Sequence, residues 1–137
     1  MTTPFLFVYG TLRRLAGHQA HSVLERNAKF EGEGTVPAQL FSLGHYPGLV
    51  LSEDPSDRVL GEVYRLEPSH MDDTLRELDE YEGMGGSDPQ PQKYRREVIT
   101  VHLANGSAVD AWAYVLIQVP PGSPRIPSGD YLEWRAS

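Results

Sequence analysis

Phe5-Leu6-Phe7-Val8-Tyr9-Gly10-Thr11-Leu12-Arg13 begins as a short apolar run of aromatic and β-branched residues and breaks off at a glycine followed by a small hydroxyl residue. The run reads as a buried strand, and Gly-Thr as a tight turn at its end. At such a turn successive backbone N–H groups can converge on one concavity. Gly10 lacks the Cβ that would block close approach and tolerates backbone angles that other residues avoid. The concavity suits a carboxylate or a phosphate. Arg13 and Arg14 follow, and they read either as a local basic patch or as solvated surface charges.

Beyond this turn, Ala20, Val23 and Leu24 are spaced as on one face of a helix running from about His18 to Asn27. His18 and His21 share a face of it, a spacing metals can use, but no further ligand follows at ligand spacing. From Lys29 the pattern changes to strands punctuated by glycine and proline: Lys29 to Val36, Ala38 to Leu43, and Leu49 to Leu51. Gly44-His45-Tyr46-Pro47-Gly48 is a turn by composition, with His45 and Tyr46 either lining a pocket or packing on the sheet. Val59 to Leu66 alternates as a strand; Glu62 within it reads as a rim or salt-bridge residue rather than as part of the chemistry. Asn105-Gly106 joins two further strands, Tyr94 to Leu103 and Ala108 to Ile117. The stretch from Val119 to Ser128 is Pro-rich and extended.

Between the strands lies a well-punctuated helix over Glu67 to Gly83. Ser69 with Asp72 has the spacing of a capping box, acidic residues fill the first turn, and Gly83 closes the end. Met71, Leu75 and Leu78 make its apolar stripe, and the next step along that face lands on Glu82. A carboxylate that continues a buried stripe is costly unless it is paired or employed. One reading is a general acid or base whose pKa burial has raised. The other is a last-turn residue that meets water, Arg95 or Arg96. The Gly/Pro-rich segment 83–93 reads as a loop, either closing over a substrate or serving as a plain connection.

Composition narrows the field. The 137 residues have the 39% hydrophobic and 23% charged content of an ordinary globular chain, so a single domain over residues 1–137 is expected. There is no cysteine, which removes disulfides and thiol nucleophiles. A net charge of −7 argues against nucleic acid or an anionic membrane as partner. No long apolar run or leader-like segment is visible, which points to the cytoplasm. No P-loop, dinucleotide fingerprint or ligand cluster is visible, which is consistent with chemistry that needs no cofactor and no metal. Many short strands with two helices among them predict an α+β fold.

Several short elements, in order, resemble the γ-glutamylcyclotransferase-like family, on its bacterial YtfP-like and γ-glutamylamine cyclotransferase side. They are Val8-Tyr9-Gly10-Thr11-Leu12 with basic Arg13, Leu43-Gly44 ahead of Tyr46-Pro47-Gly48, Val59-Leu60-Gly61-Glu62-Val63-Tyr64, and Leu78-Asp79-Glu80-Tyr81-Glu82. Tyr94-Arg95-Arg96, Ala113-Tyr114-Val115 and Ser128-Gly129-Asp130-Tyr131 follow, the last with tyrosine where the family has tryptophan.

The resemblance implies a small mixed β-barrel flanked by helices, with a pocket between the Tyr9-to-Leu12 turn and the helix ending at Glu82. It implies cyclisation of a γ-glutamyl amide to 5-oxoproline with release of an amine, and a small-molecule γ-glutamyl substrate. Glu82 would be the catalytic acid/base, with Tyr9, Gly10, Thr11, Leu12 and Tyr94 at the substrate. Two other classes compete: a non-catalytic module binding a carboxylated metabolite in the same pocket, and a ring-closing enzyme acting on a γ-glutamyl group attached to a lysine side chain or a natural product.

Overall fold

The computed structural model describes residues 3–10, 13, 21–43, 46–81 and 94–136. Within them lie the strands β1 (Phe5–Val8), β2 (Ala28–Val36), β3 (Ala38–Ser42), β4 (Pro47–Leu51), β5 (Val59–Leu66), β6 (Tyr94–Leu103), β7 (Ala108–Leu116) and β8 (Arg125–Ile126). The helices are α1 (His21–Asn27), α2 (Met71–Tyr81) and α3 (Tyr131–Ala136), and a 3-10 turn over Pro68–His70 leads into α2.

The strands run in the order β1-β5-β2-β6-β7, and β1 then pairs with β7, closing five of them into a barrel. The closing contact is parallel, Leu6 opposite Trp112, whereas β1 meets β5 antiparallel with Phe7 opposite Val63. β4, β3 and β8 continue the sheet outward from β7, and the β4–β7 pairing is also parallel. The fold is therefore α+β, a small mixed barrel with helices against it.

The apolar run of β1 belongs to two cores at once. Phe7 faces the barrel interior with Val36, Leu40, Val63, Val101 and Val115. Its neighbours Leu6 and Val8 face outward and pack with Leu24 of α1 and with Leu75 and Leu78 of α2. Alternate side chains of a strand point to opposite faces, so a strand covered on both sides must be apolar throughout. On α2 the expected stripe is observed: Leu75 and Leu78 are buried and Met71 half-buried, while Asp73 and Glu77 are exposed.

One local expectation is corrected, and one segment holds elements that the sequence reading did not name. Ser69 and Asp72 do not form a capping box. Ser69 lies inside the 3-10 turn, whose N-cap is Glu67 with no side-chain capping bond, and its hydroxyl bonds the Glu67 carboxylate instead. Pro68 explains the change: its fixed φ starts a turn one residue before Ser69. The C-terminal segment is also more ordered than its prolines suggest. Arg125–Ile126 pairs with β3, and α3 follows, capped by Asp130, whose carboxylate accepts from the Leu132 and Glu133 N–H groups. Gly129, at φ +71°, turns the chain into that cap with its carbonyl accepting from Leu60 N–H. Of the helix expected from His18, residues 18–20 lie outside the described residues.

Asp57 fastens the outer strands. Its carboxylate accepts from the Ser52 hydroxyl (2.6 Å), the Gln39 amide (3.0 Å) and Arg125 (2.8 Å). The Ser52 hydrogen bond first, then those of Gln39 and Arg125, hold its pKa below the ordinary carboxylate value. A folded pKa below the unfolded one gives stability that is complete above the unfolded value, about 3.9, and lost as pH falls through the folded value. Asp57→Asn is expected to lower stability at neutral pH and to flatten its decline below about pH 4. Urea unfolding of both proteins between neutral pH and pH 3 checks this; parallel curves would show that Asp57 contributes nothing to acid sensitivity.

Candidate active site

Gly10 ends β1 in a turn whose hydrogen bond runs from Arg13 N–H to the Gly10 carbonyl (3.0 Å). Its φ is not positive, so left-handed geometry is not what glycine supplies here. The requirement is space. A Cβ at position 10 would stand 2.7 Å from Cγ of Pro47, closer than carbon atoms approach. Pro47 is itself held by Tyr94, whose hydroxyl donates to the Pro47 carbonyl (2.8 Å) and whose ring lies 6.4 Å from that of Tyr46.

Tyr9, just before the turn, donates its hydroxyl to the Tyr114 carbonyl (2.6 Å). Gly10 and Tyr94 therefore both adjoin Pro47, Tyr9 is tied to β7, and the two tyrosine hydroxyls bond main-chain carbonyls. Thr11, Leu12, His45 and Glu82 lie outside the described residues.

Sequence reasoning overlooked what lies beneath the turn. Of the two readings for Arg13, neither patch nor solvated charge holds: its side chain is 5% exposed. Its Nε lies 3.4 Å from Glu62 Oε2 and its Nη1 3.0 Å from Asp130 Oδ1. Glu62, read as a rim or salt-bridge residue, is a buried one, its side chain 2% exposed. The Tyr64 hydroxyl donates to its other oxygen (2.8 Å). One guanidinium thus joins the β1 turn, the middle of β5 and the cap of α3. A signal existed: in the alternation of β5, Glu62 takes the parity of Leu60, Tyr64 and Leu66, so it had to face packed structure and find a cation.

The last turn of α2 is fixed by Asp79. Its Oδ1 accepts from Arg96 Nε (2.9 Å) and from the Tyr114 hydroxyl (2.7 Å), and its Oδ2 from Arg96 Nη2 (3.1 Å). The Arg96 guanidinium also lies 4.6 Å from the centre of the Trp112 ring. Arg95 turns the other way, to Glu97 (2.9 Å).

Residues 6–133 match the family described as "Gamma-glutamyl cyclotransferase, AIG2-like". The chain belongs to that family. Among relatives, it is 36% identical over 129 residues to the "Gamma-glutamylcyclotransferase family protein YtfP" of Escherichia coli K12, covering 93% of this chain and 96% of that one. The solution structure of the E. coli ytfP protein superposes with a TM-score of 0.64 at 34% identity, covering 96% and 98% of the two chains. The crystal structure of an AIG2-like protein from Mus musculus gives 0.70 at 26% identity, covering 96% and 89%.

The resemblance places the site between the β1 turn and the end of α2. A separate cleft of about 290 Å³, lined by Arg26, Lys29, Arg65 and Glu67 among others, contains no residue of either. No described helix is long and apolar enough to cross a membrane.

Removing Arg13 takes the guanidinium away from the buried Glu62 carboxylate, a loss that costs roughly 3–5 kcal/mol in comparable buried pairs. Arg13→Met is expected to destabilise the protein by about 3 kcal/mol or more, read as a lowered urea midpoint at unchanged slope. A shift under about 1 kcal/mol would mean that water reaches Glu62 and replaces the pair.

Proposed function

We propose that the protein is a γ-glutamylcyclotransferase: it cyclises a γ-glutamyl amide to 5-oxoproline and releases a free amine, with Glu82 as general acid/base. The observation that carries this reading is the family match over residues 6–133, a span that includes the sequence motif Leu78-Asp79-Glu80-Tyr81-Glu82. The buried stripe of Leu75 and Leu78, which runs toward that glutamate in sequence, supports it.

The chemistry asks little of the protein beyond positioning. A γ-glutamyl amide carries its own nucleophile, the α-amine, one five-membered ring away from the γ-carbonyl carbon. Glu82 takes one proton from the α-ammonium, freeing the amine to attack. The new C–N bond forms, and the carbonyl oxygen becomes an oxyanion. Backbone N–H groups of the turn at Gly10, Thr11 and Leu12 hold the substrate carboxylate or that oxyanion. As the tetrahedral centre collapses the original C–N bond breaks, and Glu82 returns its proton to the leaving nitrogen. The nucleophilic nitrogen gives up a second proton to become the lactam N–H, so both protons depart on the released ammonium. No water, metal or redox partner enters the balance.

The leaving group defines the substrate and is read directly by experiment. Purified protein is incubated with γ-glutamyl dipeptides, γ-glutamyl-ε-lysine and glutathione, and 5-oxoproline is measured by mass spectrometry. At least one substrate is expected to turn over, and Glu82→Gln to reduce the rate by about 100-fold or more, as loss of a general acid/base does. Equal binding by both proteins with no 5-oxoproline from any substrate would instead favour a non-catalytic module that binds γ-glutamyl metabolites.

A further inference from the structure

Tyr114, near the C-terminal end of β7, is used at both ends. Its main-chain carbonyl accepts the hydroxyl of Tyr9, the residue before the Gly10 turn. Its own hydroxyl donates to Asp79 in the last turn of α2. A single residue therefore touches both walls between which a γ-glutamyl group would be held. Its neighbour in the register, Arg96 on β6, completes the attachment with two hydrogen bonds to the same carboxylate.

This attachment differs in kind from the rest of the α2 interface. Leu75 and Leu78 bury apolar surface, which holds a helix against a sheet but resists sliding and rotation weakly, because dispersion and hydrophobic burial are non-directional. A carboxylate held by three donors on two adjacent strands is directional. It fixes the helix end along its axis and about it. Asp79 is also only part-exposed, its side chain 21% accessible, so water competes weakly for its oxygens.

We propose that Tyr114 is a positioning residue that sets the separation between the Gly10 turn and the C-terminal end of α2, and so the alignment of substrate with base. The proposal rests on the cyclotransferase reading for its kinetic consequence and on the described geometry for its mechanical one. A displacement of about 1 Å between reacting groups costs on the order of 100-fold in rate. Losing one of three anchors on Asp79 is expected to cost part of that.

Tyr114→Phe tests this with little disturbance. It keeps the ring in its packing and the carbonyl that Tyr9 uses, and Asp79 keeps Arg96. The expected result is a kcat lower by about 10-fold to 100-fold with KM within about threefold, because ground-state contacts to substrate are unaltered. Amide hydrogen exchange over residues 78–81 should rise at least about tenfold while β1 and β7 stay protected, since an end held by fewer anchors opens more often.

Tyr9→Phe severs the other wall, and the double variant should lose less in kcat than the product of the two single losses, because both singles relax one shared spacing. Multiplicative losses, or a wild-type kcat in Tyr114→Phe, would overturn the positioning role and leave the cyclotransferase reading standing. If the wild-type protein makes no 5-oxoproline, that reading fails separately. The exchange measurement then still decides whether Tyr114 anchors α2: faster exchange confined to 78–81 upholds the anchor, and unchanged exchange overturns it.

Discussion

One buried guanidinium, that of Arg13, is the constraint on which the arrangement depends. A charge out of water must meet its counter-charges in good geometry, and Arg13 meets two, Glu62 and Asp130, drawn from β5 and from the start of α3. Arginine suits this position because its planar fork addresses two acceptors in different directions, which an ammonium cannot do as rigidly. Hydrophobic contacts in the barrel tolerate small shifts. The Arg13 network does not, since a displaced strand strands a charge. Strand β1, its turn and the C-terminal cap are consequently fixed relative to one another.

Asp79 repeats the logic at the last turn of α2 with a part-buried carboxylate in place of a buried cation. The motif residues by which the chain resembles its family are, in large measure, seen holding structure. Gly10 admits Pro47, Glu62 receives Arg13 and Tyr64, Asp79 ties α2 to β6 and β7, and Asp130 caps α3. A short motif around a site therefore does not translate residue by residue into chemistry. Much of it is the scaffolding that allows a few groups to act.

How far the sequence carried the reading follows from how local each signal was. Strands β5 and β6 begin and end where alternation and the flanking breakers put them, and the stripe of α2 faces the core as its spacing requires. The Asn105-Gly106 turn joins β6 and β7 as expected, with Leu103 and Ser107 bonded across it. Arg13 was illegible for the opposite reason. Beside Arg14 it looks like any surface pair, and its partners stand 49 and 117 positions away. Strand β8 and helix α3 were missed because prolines dominate the segment before them, while what orders them is pairing with β3 and a cap fastened by Arg13. Tyr9 and Tyr94 were chosen for the site by resemblance. Their hydroxyls are occupied by main-chain carbonyls, a fact no spacing reveals.

The closure of the barrel sets an order of events in time. β1 lies at the start of the chain and β7 near its end, and the Tyr9–Tyr114 bond that accompanies their parallel pairing spans 105 positions. As the chain leaves the ribosome, β1 can first pair only with β5, and one of its edges waits until β7 has been made. Joining such distant segments requires loop closure before it gives any contact in return, which slows folding in chains of this kind. During that interval the apolar strand Phe5–Val8 presents unpaired N–H and C=O groups, a template for pairing with the wrong chain. The same late step brings Tyr114 to Tyr9, so the protein completes its barrel and links β1 through β7 to α2 in a single closing event.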